Sequence, residues 1–171
     1  VVLKSAKAIG GRTFYRCKNL REVVFPDNLE QIGEQAFSDC DLLNEVVFQN
    51  GLKKIDTYAF AGCDVLKTVE MPNSVVEVGE STFRSCSSLE RIKLSDSLKN
   101  IPRDFCCLCK NLKEIEFPQA LETIELGAFA DNEKLERVVL KSAKTIGDKA
   151  FYRCKNLREV VFPDNLEQIG E

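Results

Sequence analysis

Apolar side chains recur along this chain at a fixed step. Phe14, Phe37, Phe60 and Phe83 stand 23 residues apart, and the series resumes at Phe129 and Phe151. Other columns keep the same step, or one residue less at the shortened units: Leu20, Leu43, Leu66, Leu89, Leu112, Leu135 and Leu157, then Val23, Val46, Val69, Ile92, Ile115, Val138 and Val160. A third runs through Ile9, Ile32, Ile55, Val78, Ile101, Ile124, Ile146 and Ile169. One unit reads C-x-x-L-x-x-V-x-F-P-x-x-L-x-x-I-G-x-x-A-F-x-x. A single unit has too little apolar surface to bury alone, whereas stacked units share a continuous core in which each side chain sits on its counterpart. The pattern predicts one solenoid domain over residues 1–171, with interior columns of like residues.

Within a unit, Leu20-Arg21-Glu22-Val23-Val24-Phe25 alternates with a period of two. Val23 and Phe25 therefore point inward, and Glu22 and Val24 outward, as a half-buried strand requires. Pro26 ends the strand. The spacing Ala36-Phe37-x-x-Cys40-x-x-Leu43 predicts a helical or 3₁₀ turn that returns the chain along the other side of the coil. Strand plus helical return makes an α/β solenoid, with about seven coils stacked ~4.8 Å apart.

Two units are one residue short, between Leu3 and Ile9 and between Leu140 and Ile146, and both carry Lys-Ser-Ala-Lys. Residues 1–34 and 138–171 agree except at Ala8/Thr145, Gly11/Asp148, Arg12/Lys149 and Thr13/Ala150. A super-repeat of six units and 137 residues thus begins again before the chain stops. The parent is expected to be a longer tandem array, or a six-unit block extended by re-using its start. Neither end carries an atypical polar cap, so fraying of terminal units or end-to-end self-association is expected.

The run Ile32-Gly33-Glu34-Gln35-Ala36-Phe37-Ser38-Asp39-Cys40, with Leu43, Val46, Phe48 and the Pro after Phe25, Met71, Phe117 and Phe162, resembles the BspA-like class of leucine-rich repeats. The resemblance implies a right-handed arc with one short parallel strand per unit on its concave side. It also implies surface proteins of host-associated microbes that bind macromolecules, and no shared enzyme chemistry. Unit five departs from the pattern, with Ile101-Pro102-Arg103-Asp104-Phe105-Cys106 where Ile-Gly-x-x-Ala-Phe is usual. Phe105 and Cys106 exchange sizes there, and local repacking is expected.

Candidate chemistry is sparse. The eight cysteines allow three readings. Cys17, Cys40, Cys63, Cys86 and Cys109 keep the repeat step, and Asn132 takes the next slot. That substitution favours a small buried group whose S–H meets a backbone carbonyl, since Asn can make the same bond. Disulfides between neighbouring coils are a second reading, opposed by side chains that would run parallel. A metal or redox site at Cys106-Cys107-Leu108-Cys109 is the third, and no His or second Cys pair completes it.

The chain has no histidine, which removes Ser-His and Cys-His nucleophile pairs together with the commonest general base and metal ligand. Asp and Glu fall mostly at variable outward positions, where a solvated face is the simpler meaning. Gly10-Gly11 is a repeat-turn glycine with a neighbour, not a phosphate loop. We therefore expect a non-enzyme without cofactors. A net charge of −3 with interspersed signs implies no nucleic-acid partner. No apolar run approaches the ~20 residues needed to cross a bilayer, so no membrane insertion is expected in this segment.

Recognition, if present, belongs on the outward strand positions, which vary while the columns stay constant. One outward slot reads Val2, Val24, Val47, Glu70, Lys93, Glu116, Val139 and Val161; its neighbour reads Glu22, Glu45, Thr68, Arg91, Glu114, Arg137 and Glu159. The candidate partner-binding residues are Glu22, Val24, Glu45, Val47, Glu70, Arg91, Lys93, Glu114, Glu116, Arg137 and Val139. The bland alternative is cross-strand ion pairs and β-formers that support the sheet, each worth ~0.2–1 kcal/mol. A basic set, Lys4, Lys7, Arg12, Arg16, Lys18 and Arg21, repeated from Lys141 to Arg158, reads as a solvated coil edge.

Three functions follow as expectations. The first is a protein-binding or adhesion scaffold that is secreted or on a cell surface, taking a protein or other macromolecular ligand. The second is a structural spacer or self-stacking array. The third is a cytoplasmic interaction scaffold, since reducing compartments keep thiols free.

Overall fold

The computed structural model describes all 171 residues as one stack of coils, each contributing two short strands. The longer strands are β2 (Glu22–Val24), β4 (Glu45–Val47), β6 (Thr68–Glu70), β8 (Arg91–Lys93), β10 (Glu114–Glu116), β12 (Arg137–Val139) and β14 (Glu159–Val161). The shorter ones are β1 (Ala8–Ile9), β3 (Gln31–Ile32), β5 (Lys54–Ile55), β7 (Glu77–Val78), β9 (Asn100–Ile101), β11 (Thr123–Ile124), β13 (Thr145–Ile146) and β15 (Gln168–Ile169). All pairings are parallel and join like slots of adjacent coils, as in Val23 beside Val46 and Ile9 beside Ile32.

Two expectations need correcting. No helix is present, so the fold is a parallel-strand β-solenoid and the α/β label fails. Each unit also carries two parallel strands instead of one. The backbone hydrogen bonds show why the return segment is not helical. N–H groups point alternately forward to the next coil and back within their own: Gln35 to Thr57, Ala36 to Gly33, Phe37 to Ala59, Ser38 to Gln35, Asp39 to Ala61 and Cys40 to Phe37. A helix would direct every N–H along its own axis. The return is instead a pair of tight turns, each with one residue in the left-handed region, such as Gln35 (φ 54°) and Asp39 (φ 56°) or Tyr58 (φ 56°) and Gly62 (φ 71°). Alternate donors thus satisfy the turn and the coil above at once.

The predicted columns form. Phe14, Phe37, Phe60 and Phe83 stack with ring centroids 5.1, 5.2 and 5.5 Å apart and planes within 11° of parallel. The expected repacking at unit five also occurs. Cys106 takes the Phe slot and Phe105 the Ala slot, and the coil register holds through Phe83 N–H to Phe105 C=O and Cys106 N–H to Ala128 C=O. The Phe105 ring turns edge-on to Phe83 (5.5 Å, 83°) and Phe129 (6.3 Å, 78°), filling the column from the adjacent slot.

The sheets are interrupted. The series of shorter strands breaks between β7 and β9. Elsewhere the residue after this strand donates to the coil before it, as Gly79 does to Ile55 C=O and Glu125 to Ile101 C=O, both 2.8–2.9 Å. The corresponding residue here is Pro102, which has no N–H to give Val78. Side chains bridge the gap: Ser95 Oγ donates to Val75 C=O at 2.6 Å and Ser97 Oγ to Asn73 C=O at 2.8 Å. The longer strands break twice, between β4 and β6 and between β10 and β12.

Candidate binding face

The alternation of the longer strands places their first and third residues outward and the middle one in the core, as for Glu22-Val23-Val24. Parallel, in-register pairing then lines up like slots across coils. Val2, Val24 and Val47 form an apolar row, bridged Val2 to Val24 and paired Val24 to Val47. They are 64, 52 and 54% exposed, far from the near-zero values of the core beneath them. Glu22 and Glu45, equally exposed, sit side by side next to this row, and adjacent like charges weaken a sheet. Neither forms an ion pair.

The middle of the face is charged and internally paired. Arg91 on β8 faces Glu70 of the coil below (3.9 Å) and Glu114 of the coil above (3.4 Å), and hydrogen-bonds Glu116. That bond, helped by Lys93 and Lys141, holds the Glu116 carboxyl below its usual range and raises Arg91. Arg137 binds Glu159 at 2.8 Å on the far side of the β10/β12 break. For Glu70, Arg91, Glu114, Glu116 and Arg137 the structure thus supplies the bland role as cross-strand partners. Exposed pairs of this kind contribute ~0–1 kcal/mol each. Lys93 and Val139 remain without such partners.

The eleven candidates therefore fall into three groups: Glu22, Val24, Glu45 and Val47 at one end, Glu70 to Glu116 in the middle, and Arg137 with Val139 beyond the break. Sequence reasoning placed Ile115 inside the core, yet it is only partly buried, whereas Val46, Val69, Ile92 and Val138 are 6, 1, 0 and 1% exposed. A groove of about 340 Å³ opens there, between β10 and β12. The signal that could have pointed to it is the shortened unit from Leu140 to Ile146, which follows directly.

Four residues of the basic coil edge are paired: Arg16 with Asp39, Lys18 with Asp41, Arg153 with Asp131 and Lys155 with Glu133. The cysteines are all free thiols, and only Cys17 is exposed. Cys40, Cys63, Cys86, Cys109 and Cys154 each donate to a Phe carbonyl of the preceding coil at 3.1–3.3 Å. Asn132 makes its own version through Nδ2 to Phe129 C=O at 3.0 Å. Burial pushes the Cys40 and Cys154 thiols up to about 11 and raises Cys63, Cys86 and Cys109 further. Such thiols are poor nucleophiles at neutral pH. No three side chains of metal-binding type come together, and no helix is long and apolar enough to cross a membrane.

Coil geometry, repeat length and interior columns define a leucine-rich-repeat β-solenoid. The BspA type leucine rich repeat region matches in six copies, over residues 7–136 and 127–171, and the chain belongs to that family. Among solved structures, it superimposes on a leucine-rich repeat protein from Eubacterium ventriosum with TM-score 0.82 and 24% identity, covering 98% of this chain and 42% of that one. A leucine rich cell surface protein from Faecalibacterium prausnitzii gives TM-score 0.66 at 24% identity over 94% of this chain and 58% of that one. A leucine rich repeat protein from T. pallidum gives 0.63 at 25% identity, covering 92% and 77%. The chain thus spans about half the length of the first two. Comparison with curated proteins finds no significant match.

Proposed function

We propose that this chain is a non-catalytic protein-binding scaffold of a secreted or cell-surface protein, and that the face of the longer strands is its recognition surface. The observation that carries this reading is the row Val2, Val24 and Val47. A sheet face that only had to meet water would not keep three half-exposed valines in register, and exposed apolar rows of this kind mark interaction surfaces. Family membership supports a repeat scaffold, and one structural relative is described as a cell surface protein.

The experiment compares the chain with a Val24→Lys, Val47→Lys variant, each immobilised and exposed to matrix and partner-cell protein extracts. Both side chains point outward, so the variant keeps the fold. A captured protein whose affinity drops at least tenfold in the variant supports the proposal. Equal capture by both, or capture by neither, sinks it.

A further inference from the structure

We propose that the seam between β10 and β12 is a docking site for an extended acidic segment of a partner protein, taking one aliphatic side chain with a carboxylate beside it. This rests on the longer-strand face being a recognition surface, and it assigns one place and one ligand chemistry to that face.

Three features coincide at the seam. The first is an opened core. Of the interior strand residues from β2 to β12, only Ile115 is not buried, and it lines the groove of about 340 Å³ with Phe117 and Val139. A break in the sheet is not enough to cause this, because Val46 and Val69 stay at 6 and 1% exposure across the β4/β6 break. The groove is large enough for a side chain and its flanking main chain, being within the roughly 300–1,000 Å³ of small-ligand sites.

The second feature is main-chain hydrogen bonding left unused. Met71, Leu94 and Leu140 each donate N–H to the next coil, to Lys93, Glu116 and Val161 carbonyls at 3.0, 3.1 and 2.9 Å. Phe117 stands in the same slot and makes no such bond to Val139, as is also the case for Phe25 and Phe48, whose coils stay closed over Val46 and Val69; only at Phe117 does the free N–H border an opened core. An extended peptide crossing the seam satisfies these groups with its own main chain, which is how strand-like ligands gain affinity independent of sequence.

The third is charge. Lys93 and Lys141 flank the apolar floor, and neither takes part in an ion pair. Of the acids of the groove, Glu116 is paired with Arg91, while Asp96 accepts only a neutral amide hydrogen from Asn73 at 3.5 Å and keeps its charge, so two lysines face one unpaired carboxylate. The site therefore offers two lysines without ion-pair partners, and a net positive charge, beside an apolar surface, which complements a carboxylate next to an aliphatic side chain. A basic segment meets repulsion instead.

The test uses three fluorescein-labelled, end-blocked octapeptides in fluorescence anisotropy: one with a central Leu flanked by Asp, one with Lys for Asp, and one with Ser for Leu. The Leu–Asp peptide is expected to bind saturably, and the other two at least tenfold more weakly. Lys93→Glu with Lys141→Glu weakens the Leu–Asp peptide at least tenfold, while the same charge change on the coil edge, Lys4→Glu with Lys7→Glu, leaves it unchanged. Amide and methyl NMR shifts on titration fall at Ile115, Phe117 and Val139. The proposal is overturned by equal binding of the Lys peptide, by insensitivity to the double Glu variant in a protein with unchanged melting, or by the absence of saturable binding. Shifts confined to Val24 and Val47 overturn the seam as well but leave the wider recognition face standing, so the two failures are distinguishable.

Discussion

Cys63 donates its thiol hydrogen to the Phe37 carbonyl of the preceding coil at 3.3 Å, with both residues fully buried. The bond recurs at Cys40, Cys86, Cys109 and Cys154, so at these corners the cysteine column holds a coil to the aromatic column of the one before. Cys63→Ala removes the bond and the sulfur volume together, and neighbouring coils on both sides limit relaxation. We expect a loss of about 1–2 kcal/mol in urea unfolding. Asn132 shows that an amide is accepted at this slot, so Cys63→Asn retains measurable folding. A Cys63→Ala protein with an unchanged midpoint would show that the thiol bonds contribute nothing.

The same thiols make stability depend on alkaline pH. Native Cys40 ionises near 11 against 9.0 for an ordinary thiol, because burial disfavours the thiolate. Between those values the native state holds a proton that the unfolded state has released, so stability falls as pH rises. Each such thiol contributes a slope of about 1.4 kcal/mol per pH unit within the window. Stability from this source is complete below about pH 8 and declines from pH 9 upward. Urea midpoints at pH 7.5, 9 and 10 are the check; a midpoint constant to pH 10 rejects the assignment.

Gly62 sits at φ 71°, and a Cβ placed on it would lie 2.6 Å from Asp39 Oδ1 of the preceding coil. Gly62→Ala combines left-handed strain with that contact, and about 1–2 kcal/mol of stability is expected to be lost. Ser85 occupies the equivalent slot one coil on, at φ 61°. Ser85→Gly relieves the strain, so its thermal midpoint is expected to hold or rise. A fall for Gly62→Ala with none for Ser85→Gly supports the turn geometry, and a fall in both contradicts it.

Hydrogen exchange locates the β7/β9 seam. Glu122 and Thr123 amides donate to Lys99 C=O at 2.8 and 3.1 Å, whereas Lys99 and Asn100 make no matching bond to Val76. Lys99 and Asn100 are therefore expected to exchange at least about tenfold faster than Glu122 and Thr123. Pro102→Ala returns an N–H opposite Val78 and narrows the gap. Equal protection of the two pairs would mean that the seam is closed in solution.

Much of this molecule is legible from residue order, for a reason visible in particular side chains. Phe37 has the same chemistry above and below it, in Phe60 and Phe14, so a 23-residue step in sequence becomes a stacking contact in space. The outward slots were placed as well, because Glu22, Val23 and Val24 alternate in a strand with one wet face. The return turns were misread as helical because the Ala36, Phe37 and Cys40 spacing suits one helical face, while apolar spacing carries no information on where each N–H points. Gln31–Ile32 is too short for a period of two to register, and the second strand was missed with it.

The sequence by itself determined the coil length, the interior columns and the membership of the repeat family, because each is a periodicity and survives any detail of packing. Only the tertiary structure decided which outward charges neutralise each other, which valines remain uncovered, and where the sheet opens beside Ile115. Those depend on contacts between residues about 23 positions apart, and on whether one coil closes fully on the next, which no single unit encodes.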